Sequence, residues 1–155
     1  MTDRLEWVIT EDNGAKLVAL KGSVDEDADL AALLKDVGQA TRLRFDLSEI
    51  HRINSCGVRE WVNFMRSLPA ASHVELEKCN PVVVLQMNMI SNFAGTASVL
   101  SVQAPFICDS CGEEANVLLA IQKGVSPVLG KMTCPKCGET MAFDDVEDSY
   151  FAFLT

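Results

Sequence analysis

Two short cysteine turns constrain this chain more than any other feature. Cys108-Asp109-Ser110-Cys111-Gly112 and Cys134-Pro135-Lys136-Cys137-Gly138 each hold two thiols separated by two residues and follow the second with glycine; 22 residues lie between the turns. A tight turn aims both sulfurs of such a pair at one point, and the glycine allows the positive φ that carries the backbone round it. Two such turns complete the tetrahedral shell of one structural Zn²⁺. All four positions are then filled by Cys108, Cys111, Cys134 and Cys137, so no site is left for a reactive water and the ion is expected to be structural. The competing reading is a pair of redox-active or disulfide-forming dithiols, which suits a secreted chain better than a cytosolic one. Residues 117–121 and 150–154 read as strands, giving the order knuckle, strand, knuckle, strand over a zinc ribbon at 105–155.

Cytosolic location is the expectation because the opening residues lack a basic segment followed by an apolar core. No apolar run approaches the roughly 20 residues needed to cross a bilayer, so no membrane association is expected. The formal net charge is −9. Residues 105–155 contribute three lysines against eight acids, or −5, which leaves −4 for residues 1–104. Phosphate backbones are bound by neutralising them with Lys and Arg, so nucleic acid is not an expected partner even though many zinc ribbons bind it.

The first hundred residues have a different texture. Two short apolar-rich runs, 5–10 and 16–21, flank Asp12-Asn13-Gly14 and read as a β-hairpin. Asp25 or Asp27 can cap a helix whose apolar face is Leu30, Leu33, Leu34 and Val37 and whose end is Gly38. Residues 43–47 alternate as a strand, and after a short loop Val58, Trp61, Val62, Met65 and Leu68 form a second helical stripe stopped by Pro69. A strand at 74–77, a third helix opened by Asn80-Pro81, and a strand near 98–103 complete the series. The order β-β-α-β-α-β-α-β implies an α/β fold, a mixed sheet with three crossover helices, over residues 1–104.

Within that series, Phe45-Asp46-Leu47-Ser48-Glu49-Ile50-His51-Arg52-Ile53-Asn54-Ser55-Cys56-Gly57-Val58 resembles the signature of the STAS domain, shared by sulfate transporters and bacterial anti-sigma-factor antagonists. That signature is a strand ending in Asp-Leu, a short loop, an apolar residue, then Asp-Ser-Ser/Thr-Gly opening a helix. Lys21-Gly22-Ser23-Val24-Asp25 is similar to the family's Gly-x-hydrophobic-Asp turn. The resemblance spans residues 5–104 and departs from the pattern at Asn54, where many antagonists have Asp, and at Cys56, where they have Ser or Thr; the ribbon stands where the usual final helix would be. It implies a non-enzymatic regulator with a protein partner, a kinase-like anti-sigma factor or another signalling protein, bound around Asn54, Ser55, Cys56, Gly57 and Arg59. It also implies phosphorylation at Ser55.

Each of these residues also has a plainer reading. Ser55 or Asn54 can simply cap the helix. Cys56 and Cys79 suit burial as small apolar residues. His51 and His73 have no Ser, Cys or Asp at interpretable spacing, and no paired carboxylates, phosphate-cradling loop or triad can be assembled, so no enzyme is expected. In the third helix, Val82, Val83, Val84, Leu85, Met87, Met89 and Ile90 are too many for one face. The ribbon, a second copy of the chain or a protein partner must cover the surplus. The alternative to a switch is therefore a constitutive scaffold assembled through the ribbon and the third helix.

Overall fold

The computed structural model describes residues 3–154, so Met1, Thr2 and Thr155, the outermost residues of the two expected segments, lie outside the described residues. A five-stranded mixed sheet forms first. Its order is β1 (Glu6–Asp12), β2 (Ala15–Val24), β3 (Arg42–Ile53), β4 (His73–Glu77), β5 (Ser98–Val99), with β1 antiparallel to β2 and the others parallel. The β1–β2 hairpin turns on Asn13 and Gly14, both at positive φ (51° and 82°), the handedness that a two-residue turn between right-twisted strands requires. The crossovers are α1 (Leu30–Val37), α2 (Ser55–Ser67) and α3 (Pro81–Met89), as expected.

Alternation along β3 decides which face is buried. Leu43, Phe45 and Leu47 are at most 2% exposed, and Phe45 meets Trp61 and Phe64 of α2 edge-on at centroid distances of 6.0 and 5.8 Å. Trp61 donates its indole N–H to the Phe93 carbonyl at 3.0 Å, so this large ring is buried without an orphaned donor. Leu33 and Val37 of α1 belong to the same core.

Three local expectations are corrected. Neither Asp25 nor Asp27 caps α1; Asp29 does, accepting from the Ala32 N–H at 3.0 Å, while Asp25 is drawn into an ion pair with Arg52 at 3.1 Å. The short loop after residue 47 is instead a continuation of β3 to Ile53, paired with Glu49, Ile50, Arg52 and Ile53 against Lys21, Gly22, Ser23 and Val24 through two irregularities of register. Residues 98–103 form two strands rather than one: β5 ends at Val99, and β6 (Ser101–Ile107) enters a second sheet.

That second sheet is antiparallel, in the order β7 (Glu114–Ala120), β6, β9 (Thr140–Phe143), β8 (Met132–Thr133). It remains stitched to the first, since the Leu100 N–H donates to the Leu76 carbonyl and the Gln103 N–H to the Cys79 carbonyl, both at 2.8 Å. The expected strand at 150–154 is not one. The second ribbon strand is β9, and the C-terminal residues form α4 (Glu147–Tyr150) and a 3₁₀ turn (Ala152–Leu154). Aromatic residues suggested a strand, but Tyr150, Phe151 and Leu154 are all buried, a spacing that a helical turn serves and an alternating strand does not.

This C-terminal segment supplies the missing cover for α3. Val83 faces Leu47, Ile50 and Trp61 in the main core, whereas on another side Asn88 donates to the Tyr150 carbonyl at 3.0 Å and accepts from the Phe153 N–H at 2.9 Å. Leu85 and Met89 stay exposed at 55% and 65%.

One junction leaves no room for a side chain. At Gly57, in the first turn of α2, a Cβ would lie 1.8 Å from the Val24 carbonyl oxygen, a backbone atom of β2. Gly57→Ala must therefore push α2 off the sheet and is expected to cost about 2 kcal/mol or more. Urea unfolding measures it; a midpoint equal to that of the wild type would show that the junction yields freely.

Candidate functional site

The four-cysteine cluster is built from the two knuckles acting alike. In the first, the Gly112 N–H donates to the Cys108 carbonyl and the Cys108 N–H to the Glu113 carbonyl; in the second, Gly138 bonds Cys134 and Cys134 bonds Glu139 in the same way. Gly112 and Gly138 adopt φ of 77° and 82°, as the glycine after each pair requires. Sulfurs of different knuckles meet, Cys108 and Cys137 at 3.4 Å and Cys111 and Cys134 at 3.6 Å, with all four within 4.8 Å of one another.

Those distances test the fit. Four thiolates about 2.3 Å from a central ion stand about 3.8 Å apart at tetrahedral angles, whereas a disulfide needs about 2.05 Å. The cluster matches the first arrangement. Burial raises the Cys134 thiol, but the backbone N–H groups of Cys137 and Lys136, with the neighbouring sulfurs, outweigh it and bring Cys134 down to about 7. The Glu139 N–H lowers Cys137, yet the sulfurs of Cys108, Cys111 and Cys134, together with burial, drive it up to about 12. Four thiols this close ionise together only around a cation. The buried residues of this unit are Ala104, Phe106, Cys108, Cys134 and Met141, so two of the four clustered cysteines are themselves part of its small core.

The other candidate residues gather at the start of α2. Asn54, not Ser55, is the N-cap: its Oδ1 accepts from the Gly57 N–H at 2.8 Å. Its Nδ2 donates to Glu26 at 2.7 Å, and this bond holds the Glu26 carboxyl below its ordinary value. Ser55 is the first helical residue and is exposed, as is Arg59 one turn on; Cys56 is half-buried and Gly57 is buried against β2. The sheet edge beneath carries the Asp25–Arg52 ion pair. His51 and His73 are exposed strand residues, His73 lying 3.6 Å from Glu75. Burial, followed by the charges of Asp46 and Glu77, pushes the Cys79 thiol up to about 12, which fits its reading as a small core residue.

The cap that the sequence reads at Asn80 is present, and the same side chain reaches further than sequence reasoning shows. Asn80 caps α3 through Val83 and also donates to the Ser48 and Ile50 carbonyls, at 3.2 and 2.7 Å, across some thirty residues of chain. Glu26, which engages Asn54, carries no sequence signal, and Asp25, a cap candidate from sequence and part of the Gly-x-hydrophobic-Asp turn, engages Arg52 instead.

No protein-family model matches the chain, and no curated protein does. Among solved structures, an anti-sigma factor antagonist from Mycobacterium paratuberculosis is similar with a TM-score of 0.50 at 16% identity, covering 63% of this chain and 86% of that one. The unphosphorylated form of the anti-sigma factor antagonist SpoIIAA is similar at 17% identity with a TM-score of 0.46, over 61% of this chain and 87% of that one. The mixed five-stranded sheet with its crossover helices thus has the fold of an anti-sigma factor antagonist, the STAS fold, and a small antiparallel sheet carrying four clustered cysteines is added to its C-terminal side.

Proposed function

We propose that this chain is a non-enzymatic regulatory module of the cytoplasm that binds a protein partner through the exposed start of α2, is switched by phosphorylation at Ser55, and holds one structural Zn²⁺ on Cys108, Cys111, Cys134 and Cys137. The observation that carries the reading is the division of labour at the helix start: Asn54 makes the capping bond, so the exposed Ser55 hydroxyl has no structural duty there. A phosphate on Ser55 would meet the positive end of the α2 dipole, so the fold tolerates it. It would also set about −2 of charge in the contact surface, beside the residue that engages Glu26, and so oppose an acidic partner and attract a basic one. The partner in this reading is a kinase-like anti-sigma factor or another signalling protein. The second reading, a constitutive scaffold, draws on the exposed Leu85 and Met89 of α3.

Metal content is the first expected outcome. Protein purified without added metal should carry close to one zinc per chain by elemental analysis, and Cys111→Ser should lower that occupancy, since three thiolates hold the ion less tightly than four. Metal-free protein with thiols intact would remove the ion from the reading.

The switch has its own test. Ser55→Asp should weaken recovery of the partner from host lysate, while Ser55→Ala should leave it largely intact. Stability should respond elsewhere: Asn54→Ala is expected to cost about 1 kcal/mol, and Ser55→Ala less than about 0.5 kcal/mol. Equal recovery by wild type and Ser55→Asp, with no phosphate in the intact mass of native protein, would leave only the scaffold.

A further inference from the structure

The second knuckle is also a hairpin turn. Cys134 to Cys137 join β8 to β9, and those strands are held by two residue pairs, Met132 with Met141 and Thr133 with Thr140. So short a hairpin does not persist in water on its own. At the far end of β9, Phe143 stacks on Phe151 at 5.9 Å and meets Tyr150 edge-on at 5.5 Å. Tyr150 donates its hydroxyl to the Gln103 carbonyl at 2.6 Å, and Asn88 of α3 clasps the backbone of Tyr150 and Phe153. A continuous path therefore runs from the sulfurs through β9 and Phe143 to the C-terminal segment and α3.

The end of that path is weakly packed. Met87, Ile90, Ile121, Phe153 and Leu154 line an open cavity of ≈ 760 Å³ along the seam between α3 and the segment. Beyond the Asn88 clasp, Leu154 accepts from the Gly124 N–H at 3.0 Å, and Gly124 belongs to the loop that leads to β8. The anchors of the segment outside the first sheet and α3, namely Gln103 of β6, Phe143 of β9 and Gly124, are thus carried by the second sheet and its loop.

We propose that metal at the four cysteines controls the exposure of α3: with the ion bound, the segment from Val146 to Leu154 is docked over Asn88, and without it the segment leaves and bares the apolar side of α3 beside the already exposed Leu85 and Met89. The first sheet is expected to outlast the ion, because Phe45, Leu47, Trp61 and Val83 pack against one another without the segment, which joins the margin of the same core through Tyr150, Phe151 and Leu154. The ribbon is then a removable cover for this side of α3. The inference rests on the four cysteines holding an ion and is independent of Ser55. Linkage makes the coupling reciprocal, so undocking the segment must weaken metal binding by the factor by which metal strengthens docking.

Amide hydrogen exchange on the full-length protein tests this, with zinc content measured on the same samples. On removal of zinc by a chelator, the N–H groups of Gly124, Phe153 and Leu154 should lose protection by at least about tenfold while those of β2 and β3 keep theirs. Zinc loss with protection retained at all three positions would overturn the coupling and leave the metal site standing. Loss of protection in β2 and β3 as well would also overturn it, because the device requires the first sheet to stand alone. Protein that never contains metal would overturn both the site and the device. Asn88→Ala provides an arm that needs no chelator: at saturating zinc it should deprotect Gly124 and Leu154 and raise the zinc dissociation constant several-fold, and unchanged values of both would sink the clasp.

Discussion

β3 is the member on which the α/β unit depends, because its neighbours β2 and β4 both run parallel to it and are joined to each other only through it. Parallel strands cannot be closed by a hairpin, so each pairing obliges the chain to make a helical crossover, and α1 and α2 exist where they do for that reason. The strand has two halves with different work. From Arg42 to Leu47 it alternates cleanly and buries Leu43, Phe45 and Leu47 under α2. From Ser48 to Ile53 its register against β2 shifts, and its carbonyls at Ser48 and Ile50 accept from Asn80, the cap of α3. The starts of α2 and α3 are thus tied to adjacent parallel strands, one through the close approach of Gly57 to Val24 of β2 and the other through the bonds of Asn80 to β3. A rigid helix start results.

The added sheet solves a different problem. Its buried set of Ala104, Phe106, Cys108, Cys134 and Met141 is too small to fix four strands by burial alone, and on the proposed reading an ion held by the clustered sulfurs supplies the constraint that apolar area does not. Its C-terminal extension then returns to the larger unit: Tyr150, Phe151 and Leu154 count among the residues of the main core, not of the ribbon. The surplus apolar residues of α3 are explained in part by this return, and the exposed Leu85 and Met89 are the remainder.

What the sequence disclosed was local or periodic. The cysteine knuckles are short turns whose geometry is complete within five residues, and Asn13-Gly14 specifies its own turn. The α2 stripe repeats often enough to be read, and the Asn80-Pro81 start carries its own cap. The failures are equally physical. Asp25, Asp27 and Asp29 have the same capping chemistry; Asp29 caps because the helix starts at Leu30, and Asp25 is engaged by Arg52, a partner 27 residues away. The polar run Ser48-Glu49, then His51-Arg52, looks like loop because strand character there comes from pairing with β2 and not from alternation. Tyr150, Phe151 and Phe153 have strand-forming side chains, and their helical setting is imposed by Asn88 and Gln103, 62 and 47 residues from Tyr150.

The placement of Asn54 bears on how a signal and a fold share one helix start. Had the serine been the cap, any group added to its hydroxyl would have competed with the bond to the Gly57 N–H, and modification would have loosened the very junction where α2 meets β2 with no space to spare. With the cap on the preceding residue, both ends of the Asn54 amide are already committed, one to Gly57 and the other to Glu26. Charge arriving at Ser55 then acts outward on whatever faces the helix start, while the cap, the glycine contact and the strand beneath stay as they are. On the proposed reading, the replacement of the family's more usual Asp by Asn54 has a further electrostatic consequence. It removes one fixed negative charge from the position adjoining the serine, although Glu26 restores a carboxylate within hydrogen-bonding distance of the same side chain. The negative character of the site is thereby moved from the helix onto the segment that follows β2.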